Sequence, residues 1–227
     1  MNEQRFAGTG APVVIEVWAD LGCPWCYVGK HRLQQAIDRR PDADRFEIRL
    51  RSFELNPDAP REPESIESAF TRSHGGNAEV VLAAERRIQG IAQREGLAFS
   101  LERLNANTFD FHRVLHHANE EGRGLEFFSL VQDRFFAGDL NPFDPDALAQ
   151  AAQTVGLSVD RVLEVLAGEE YAEAADADRR EGQELGLSGV PFVVFDRQVA
   201  APGAQSVAVY EQILEQVAPL TTPAGAS

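Results

Sequence analysis

The sequence predicts an α/β fold in which a β-α-β unit opens the chain, a β-β-α unit closes it, and a large all-helical insertion lies between. Three observations predict it. Two strand-like runs flank one helical stretch near the start. From Pro57 to Gly186, helical patterns follow one another without a convincing strand. Strand character returns only at Pro191-Phe192-Val193-Val194-Phe195.

Taken in order, Val13–Trp18 is short, β-branched and nearly all apolar, the signature of a buried strand. Cys23–Arg40 places Leu33, Ala36 and Ile37 on one helical face, and Pro41 closes it. Phe46–Phe53 alternates Phe46, Ile48 and Leu50 with Glu47, Arg49 and Arg51, a period-two strand. Parallel pairing through a right-handed crossover is expected for such a β-α-β unit. Helices are then expected over 78–95, 108–121, 125–136, 145–155, 159–167 and 171–185, each bounded by Gly or Pro. Asp196-Arg197-Gln198 turns the 191–195 run into a hairpin, and Val207–Val217 forms a closing helix. The expected organisation is a discontinuous domain of 12–57 and 187–218, an insertion of 58–186, and flexible termini at 1–11 and 219–227.

A chain of 227 residues with 44% hydrophobic content and 14 Phe has the material for a real core. No run of about 18 apolar residues occurs, so no membrane partner is expected. The first residues lack the apolar stretch of a secretory signal, which leads to the expectation of a cytoplasmic protein. A net charge of −15 argues against nucleic acid and anionic lipid, which need basic patches.

The chain has two cysteines, both in Cys23-Pro24-Trp25-Cys26. A strand delivers this tetrapeptide to the start of a helix. Residues three apart on a helix share a face, so the two sulfurs can meet. Unpaired N–H groups and the helix dipole stabilise a negative sulfur at Cys23. Cys23 is therefore expected to be the nucleophile and Cys26, a turn further in, the resolving thiol. Pro24 suits the first helical turn, where its missing N–H is no loss. Trp25 offers either an exposed flat contact beside the sulfur or a packing contact to the insert. The competing reading of the tetrapeptide is half of a zinc site, but zinc needs four ligands and no second cysteine pair exists. His112, His116 and His117 lack the Glu of a His-Glu-x-x-His site, so no metal is expected.

At this point the chain resembles the DsbA-like thioredoxin-fold oxidoreductases with a helical insertion. It looks especially like the FrnE-like branch, related to kappa-class glutathione transferases and 2-hydroxychromene-2-carboxylate isomerases. The resemblance rests on Asp20-Leu21-Gly22-Cys23-Pro24-Trp25-Cys26-Tyr27-Val28-Gly29-Lys30 and Phe53-Glu54-Leu55-Asn56-Pro57. It rests further on Asn107-Thr108 with His112-Arg113, on Gly189-Val190-Pro191-Phe192, and on Gly203-Ala204-Gln205. Where the residues alone would suggest an ordinary trans Pro starting an edge strand, the resemblance implies a cis bond before Pro191, facing the dithiol. Such a turn would leave the Val190 backbone open to pair with a substrate strand. It also implies a buried acid serving Cys26. Glu16 and Asp20 compete for that role, and a solvent-facing or salt-bridged acid is the alternative for either. Asn107 and His112 are expected to orient the insert against the thioredoxin part, and Phe111 to reshape the cleft.

The leading function is thiol–disulfide oxidoreductase, acting on protein or small-molecule thiols and disulfides. No cofactor is expected beyond the Cys23–Cys26 pair itself, with glutathione as a candidate co-substrate. The alternatives are a kappa-like glutathione-dependent transferase or isomerase of aromatic or polyketide-type substrates, and a non-enzymatic zinc-holding or scaffold protein. The transferase branch looks to a Ser hydroxyl where this chain has Cys23. The sequence carries no signal of oligomeric state or of the direction of electron flow.

Overall fold

The structure, a computed structural model, describes residues 12–74 and 78–220. The flexible ends expected at 1–11 and 219–227 lie outside it, apart from Pro219 and Leu220. A four-stranded sheet, ordered β2-β1-β5-β6, forms the centre. Strand β1 (Val13–Ala19) pairs in parallel with β2 (Phe46–Ser52), with Val13 opposite Phe46 and Ala19 opposite Ser52. Its other edge pairs antiparallel with β5 (Phe192–Phe195), which continues into β6 (Val199–Pro202). The hairpin turns where Asp196 and Arg197 adopt φ of 48° and 56°, and Gln198 N–H donates to Phe195 O at 2.9 Å. Helix α1 (Pro24–Asp38) is the crossover between β1 and β2, and it packs beside the closing helix α9 (Val207–Val217).

The alternation of β1 decides what each face of the sheet meets. Ile15 and Val17 join the core cluster that holds Cys23, Cys26, Leu33 and Ile37. Trp18 turns the other way, into a smaller cluster with Leu187, Phe192 and Val194. On that second face lies α8 (Ala172–Glu184), where Asp178 O accepts the Trp18 indole N–H at 2.7 Å. Gly182 permits the approach, since a Cβ there would sit 2.8 Å from Trp18 Nε1.

The stretch between the halves contains α2 (Ile66–His74), α3 (Ala78–Arg94), α4 (Phe109–Glu120), α5 (Gly124–Ala137), α6 (Pro145–Gln153), α7 (Val159–Ala167) and α8. Sequence-visible signals set several ends. Asp144 and Ser158 accept N–H groups of the first turns of α6 and α7, and Gly138 ends α5 at φ 86°. The segment departs from an all-helical insertion in one respect. Residues Glu64–Ser65 (β3) and Leu104–Asn105 (β4) form a two-residue antiparallel ladder, too short for any alternation to show in sequence. Helix α2 is a further addition to the sequence reading. Helices α4, α5 and α8 lie against β2, and one apolar cluster runs from Ile15 and Cys26 through Phe111, Phe127 and Val162 to Leu214.

Candidate functional site

Cys23 is the N-cap of α1, with extended backbone (φ −79°, ψ 113°). Its Sγ accepts the Cys26 N–H at 3.3 Å, so a first-turn donor points at the sulfur. Pro24 occupies the first helical turn, and no acidic residue stands in that turn to oppose negative charge. Both cysteines are free thiols and both are buried. Burial, then the neighbouring Cys23 thiol, pushes the Cys26 thiol well above its ordinary range; the Asp20 carboxylate adds to the rise and the Asp20 backbone opposes it. One sulfur thus receives a helix-start N–H, and burial favours the protonated form of the other, one turn on.

The opposite wall comes from the start of β5. The Val190–Pro191 peptide bond is cis, and the Val190 carbonyl lies 3.7 Å from Cys23 Sγ. Pro191 O accepts Gly203 N–H at 2.7 Å, which ties this wall to the end of β6. Gly29 of α1 faces the same wall: a Cβ there would be 3.0 Å from Pro191 Cγ and 3.2 Å from Ala204 Cβ. Trp25 is 38% exposed, so its ring is offered to solvent beside the dithiol.

The two candidate acids separate cleanly. Glu16 shares the Trp18 face of β1, away from the cysteines. It is held by Arg51 at 2.5 Å and by Arg197. Its expected role as proton acceptor for Cys26 is therefore corrected to that of a buried, ion-paired acid. Asp20 sits at the base of the dithiol loop. Its Oδ1 accepts Gly22 N–H at 3.3 Å, its Oδ2 accepts Leu55 N–H at 2.8 Å, and its charge reaches Cys26.

His112, on α4, is fully buried with Nε2 3.6 Å from Asp20 Oδ1. Asn107 Nδ2 donates to Glu54 Oε2 at 2.9 Å and to Pro57 O at 3.0 Å, and its Oδ1 accepts Phe109 N–H, which joins the start of α4 to the segment after β2. Phe111 stacks on Phe127 in the core cluster and lines a cavity with Asn107, Asp110 and Phe143. Glu54 is the site residue that sequence reasoning missed as an actor: it lines a small cavity with His112, and burial raises its carboxyl while the imidazole opposes the rise. One turn beyond Cys26, Lys30 is nearly buried, its ammonium lowered by that burial and paired with Asp133 at 3.5 Å.

Among the described residues no helix is long and apolar enough to cross a membrane. The DSBA-like thioredoxin domain family matches residues 14–215. A Bacillus subtilis (strain 168) protein, YwbO, is 25% identical over 206 residues, covering 89% of this chain and 96% of its own. A solved probable DsbA oxidoreductase from Streptomyces coelicolor is 36% identical, with a TM-score of 0.85 over 95% of this chain and 94% of its own. A 2-hydroxychromene-2-carboxylate isomerase is similar in fold at 16% identity, with a TM-score of 0.69 over 92% of this chain and all of its own.

Proposed function

This chain belongs to the DSBA-like thioredoxin domain family, and from that premise we propose that it is a thiol–disulfide oxidoreductase in which Cys23 attacks and Cys26 resolves. The observation that carries this reading is the placing of the pair on the first turn of α1. Cys23 Sγ receives an N–H at the helix start, while Cys26 stays buried and protonated one turn behind. In the reducing direction, the Cys23 thiolate attacks a substrate disulfide, forming a mixed disulfide and releasing one substrate thiolate. Cys26 then loses its proton and attacks Cys23 Sγ, releasing the second substrate thiol and leaving Cys23–Cys26 oxidised. The reverse sequence oxidises a substrate dithiol.

Val190 O and the Trp25 ring flank the attacking sulfur, and in this reading they seat the substrate main chain and an apolar group. Substrates are protein or small-molecule thiols and disulfides in the cytoplasm, with glutathione as the candidate small co-substrate. Cys23→Ser should abolish exchange with a model disulfide. Cys26→Ser should accumulate a mixed disulfide on Cys23, visible by intact mass. Near-normal turnover of Cys23→Ser would overturn the assignment. Turnover of an aromatic substrate with glutathione by that same variant would instead favour the transferase or isomerase reading.

A further inference from the structure

The resolving step poses a problem of protons. Cys26 is 2% exposed, so the proton it must lose has no direct route to water. We propose that Asp20, His112 and Glu54 form a proton path serving Cys26, with His112 the positioning residue that couples Asp20 to an outer cavity. The proposal rests on the dithiol reading above and deepens it.

Three observations carry it. First, Asp20 differs from the other buried acids. Glu16 is paired with Arg51 and Arg197, Asp178 with Arg51, and Glu85 with Arg103. Among the described residues Asp20 alone of these four has no Arg or Lys partner; its ionic neighbour is His112, at 3.6 Å. A fixed cation would hold a carboxylate permanently ionised, whereas an imidazole can exchange a proton with it. Second, His112 is fully buried and, among the described residues, neither ring nitrogen has a hydrogen-bond partner. A buried imidazole left this way is costly, and a place in the chemistry accounts for its being kept. Third, the imidazole lines a cavity of about 10 Å³, room for roughly one water. Ser52, whose buried hydroxyl also has no partner among the described residues, shares that lining with Glu54, Asp176 and Arg179. The charged groups facing the imidazole are thus Asp20 beyond β1, Glu54 beyond β2, and Asp176 and Arg179 from α8.

The step balances as follows. Cys26–SH attacks Cys23 Sγ of the mixed disulfide Cys23–S–S–R; the Cys23–Cys26 S–S bond forms, the S–S bond to the substrate sulfur breaks, and RS⁻ leaves as the thiolate. The Cys26 proton passes to the Asp20 carboxylate and from there to His112 Nε2. The other ring nitrogen gives up a proton to the cavity beside Glu54, and the net product is one proton in solvent.

The test uses the reduced full chain and 5,5′-dithiobis(2-nitrobenzoate), mixed by stopped flow. The first aromatic thiolate released reports attack by Cys23; the second reports resolution by Cys26. His112→Asn should slow the second phase at least about tenfold at neutral pH and leave the first within about twofold. Its second phase should then climb steeply with pH as hydroxide takes over, where the native phase is shallow. Should His112→Asn fail to fold, Glu54→Gln carries the test; it keeps an oxygen acceptor for Asn107 and should shift the second phase in the same direction. An unchanged second-phase rate and pH profile, or equal slowing of both phases, overturns the path. Absence of a first phase in the native protein would overturn the dithiol reading itself, and the path with it.

Discussion

Gly29→Ala tests whether close packing of α1 against the Pro191 wall shapes the site. Gly29 lies in the interior of a 15-residue helix, where Ala would ordinarily gain about 1 kcal/mol of helix propensity. The added methyl would stand 3.0 Å from Pro191 Cγ, 3.2 Å from Ala204 Cβ and 3.3 Å from Ala204 Cα. Neither neighbour is a flexible side-chain end: one is a proline ring next to β5 and the other includes main chain. Overpacking of this kind costs about 1–3 kcal/mol, so the two terms leave a net loss of about 1 kcal/mol. For a chain of 227 residues that lowers Tm by roughly 2–4 °C. The wall should also move by a few tenths of an ångström relative to Cys23 Sγ, now 3.7 Å from Val190 O. The assays are urea or thermal denaturation of the reduced protein and the rate of mixed-disulfide formation with a peptide disulfide. If Gly29→Ala raises Tm by about 2–4 °C and leaves peptide exchange untouched, the propensity gain is realised in full. The packing argument then fails.

The Cys26 thiol gives a pH signature. Burial holds its pKa above the unfolded value, so the folded reduced protein keeps a proton that the unfolded chain sheds above about pH 8.5. The stabilisation is complete below that pH and is lost as pH rises toward the folded pKa. Tyr27 and Tyr210, each pushed up to about 12 by burial, enter only above about pH 10. Between these limits, denaturation midpoints of the reduced protein should fall with pH, less so in Cys26→Ala; equal slopes would contradict the burial argument. The buried pair of Arg103 and Glu85, 2.6 Å apart, is expected to show strong asymmetry. Glu85→Ala strands a guanidinium and should cost about 3–5 kcal/mol in urea denaturation, while the double change to Met and Leu costs far less. Asp144→Ala removes the acceptor of Ala147 N–H at 2.9 Å and should lower stability by about 1 kcal/mol, read the same way.

What the sequence shows and what it hides follow the range of the interactions. Strand β1 is legible because Val13–Ala19 carries β-branched residues through its own length, and α5 and α6 because Gly138 and Pro145 bound them. The dithiol is legible because a helix start and a three-residue spacing are local facts. Helix α2 is hidden because its residues are largely polar. Its available signal is Ser65, whose Oγ accepts the Ser68 N–H at 3.1 Å. The β3–β4 ladder is hidden because two residues cannot show a period. Glu16 misleads because an acid on an apolar strand looks the same in sequence whether it faces Cys26 or Arg51. What separates Glu16 from Asp20 is that Asp20 follows the end of β1 at Ala19, where the alternation stops and its carboxylate turns to Gly22, Leu55 and His112.

The site is accordingly built at two ranges, and they carry different halves of the chemistry. The surroundings of Cys23 are mostly local: the N-cap conformation, Pro24 and the Cys26 N–H belong to one turn of α1. The surroundings of Cys26 are tertiary. Asp20 is fixed by the Leu55 N–H, His112 comes from α4, and Glu54 is held by Asn107. Loosening the segment around α4 should therefore disturb resolution before it disturbs attack, because a helix N-terminus survives small shifts of its neighbours and a proton path of three side chains does not. An insertion between the halves of the sheet thus has a chemical use as well as a packing one. It packs in one apolar cluster with the second cysteine, and on the proposed path it supplies the imidazole that couples the buried acid to water.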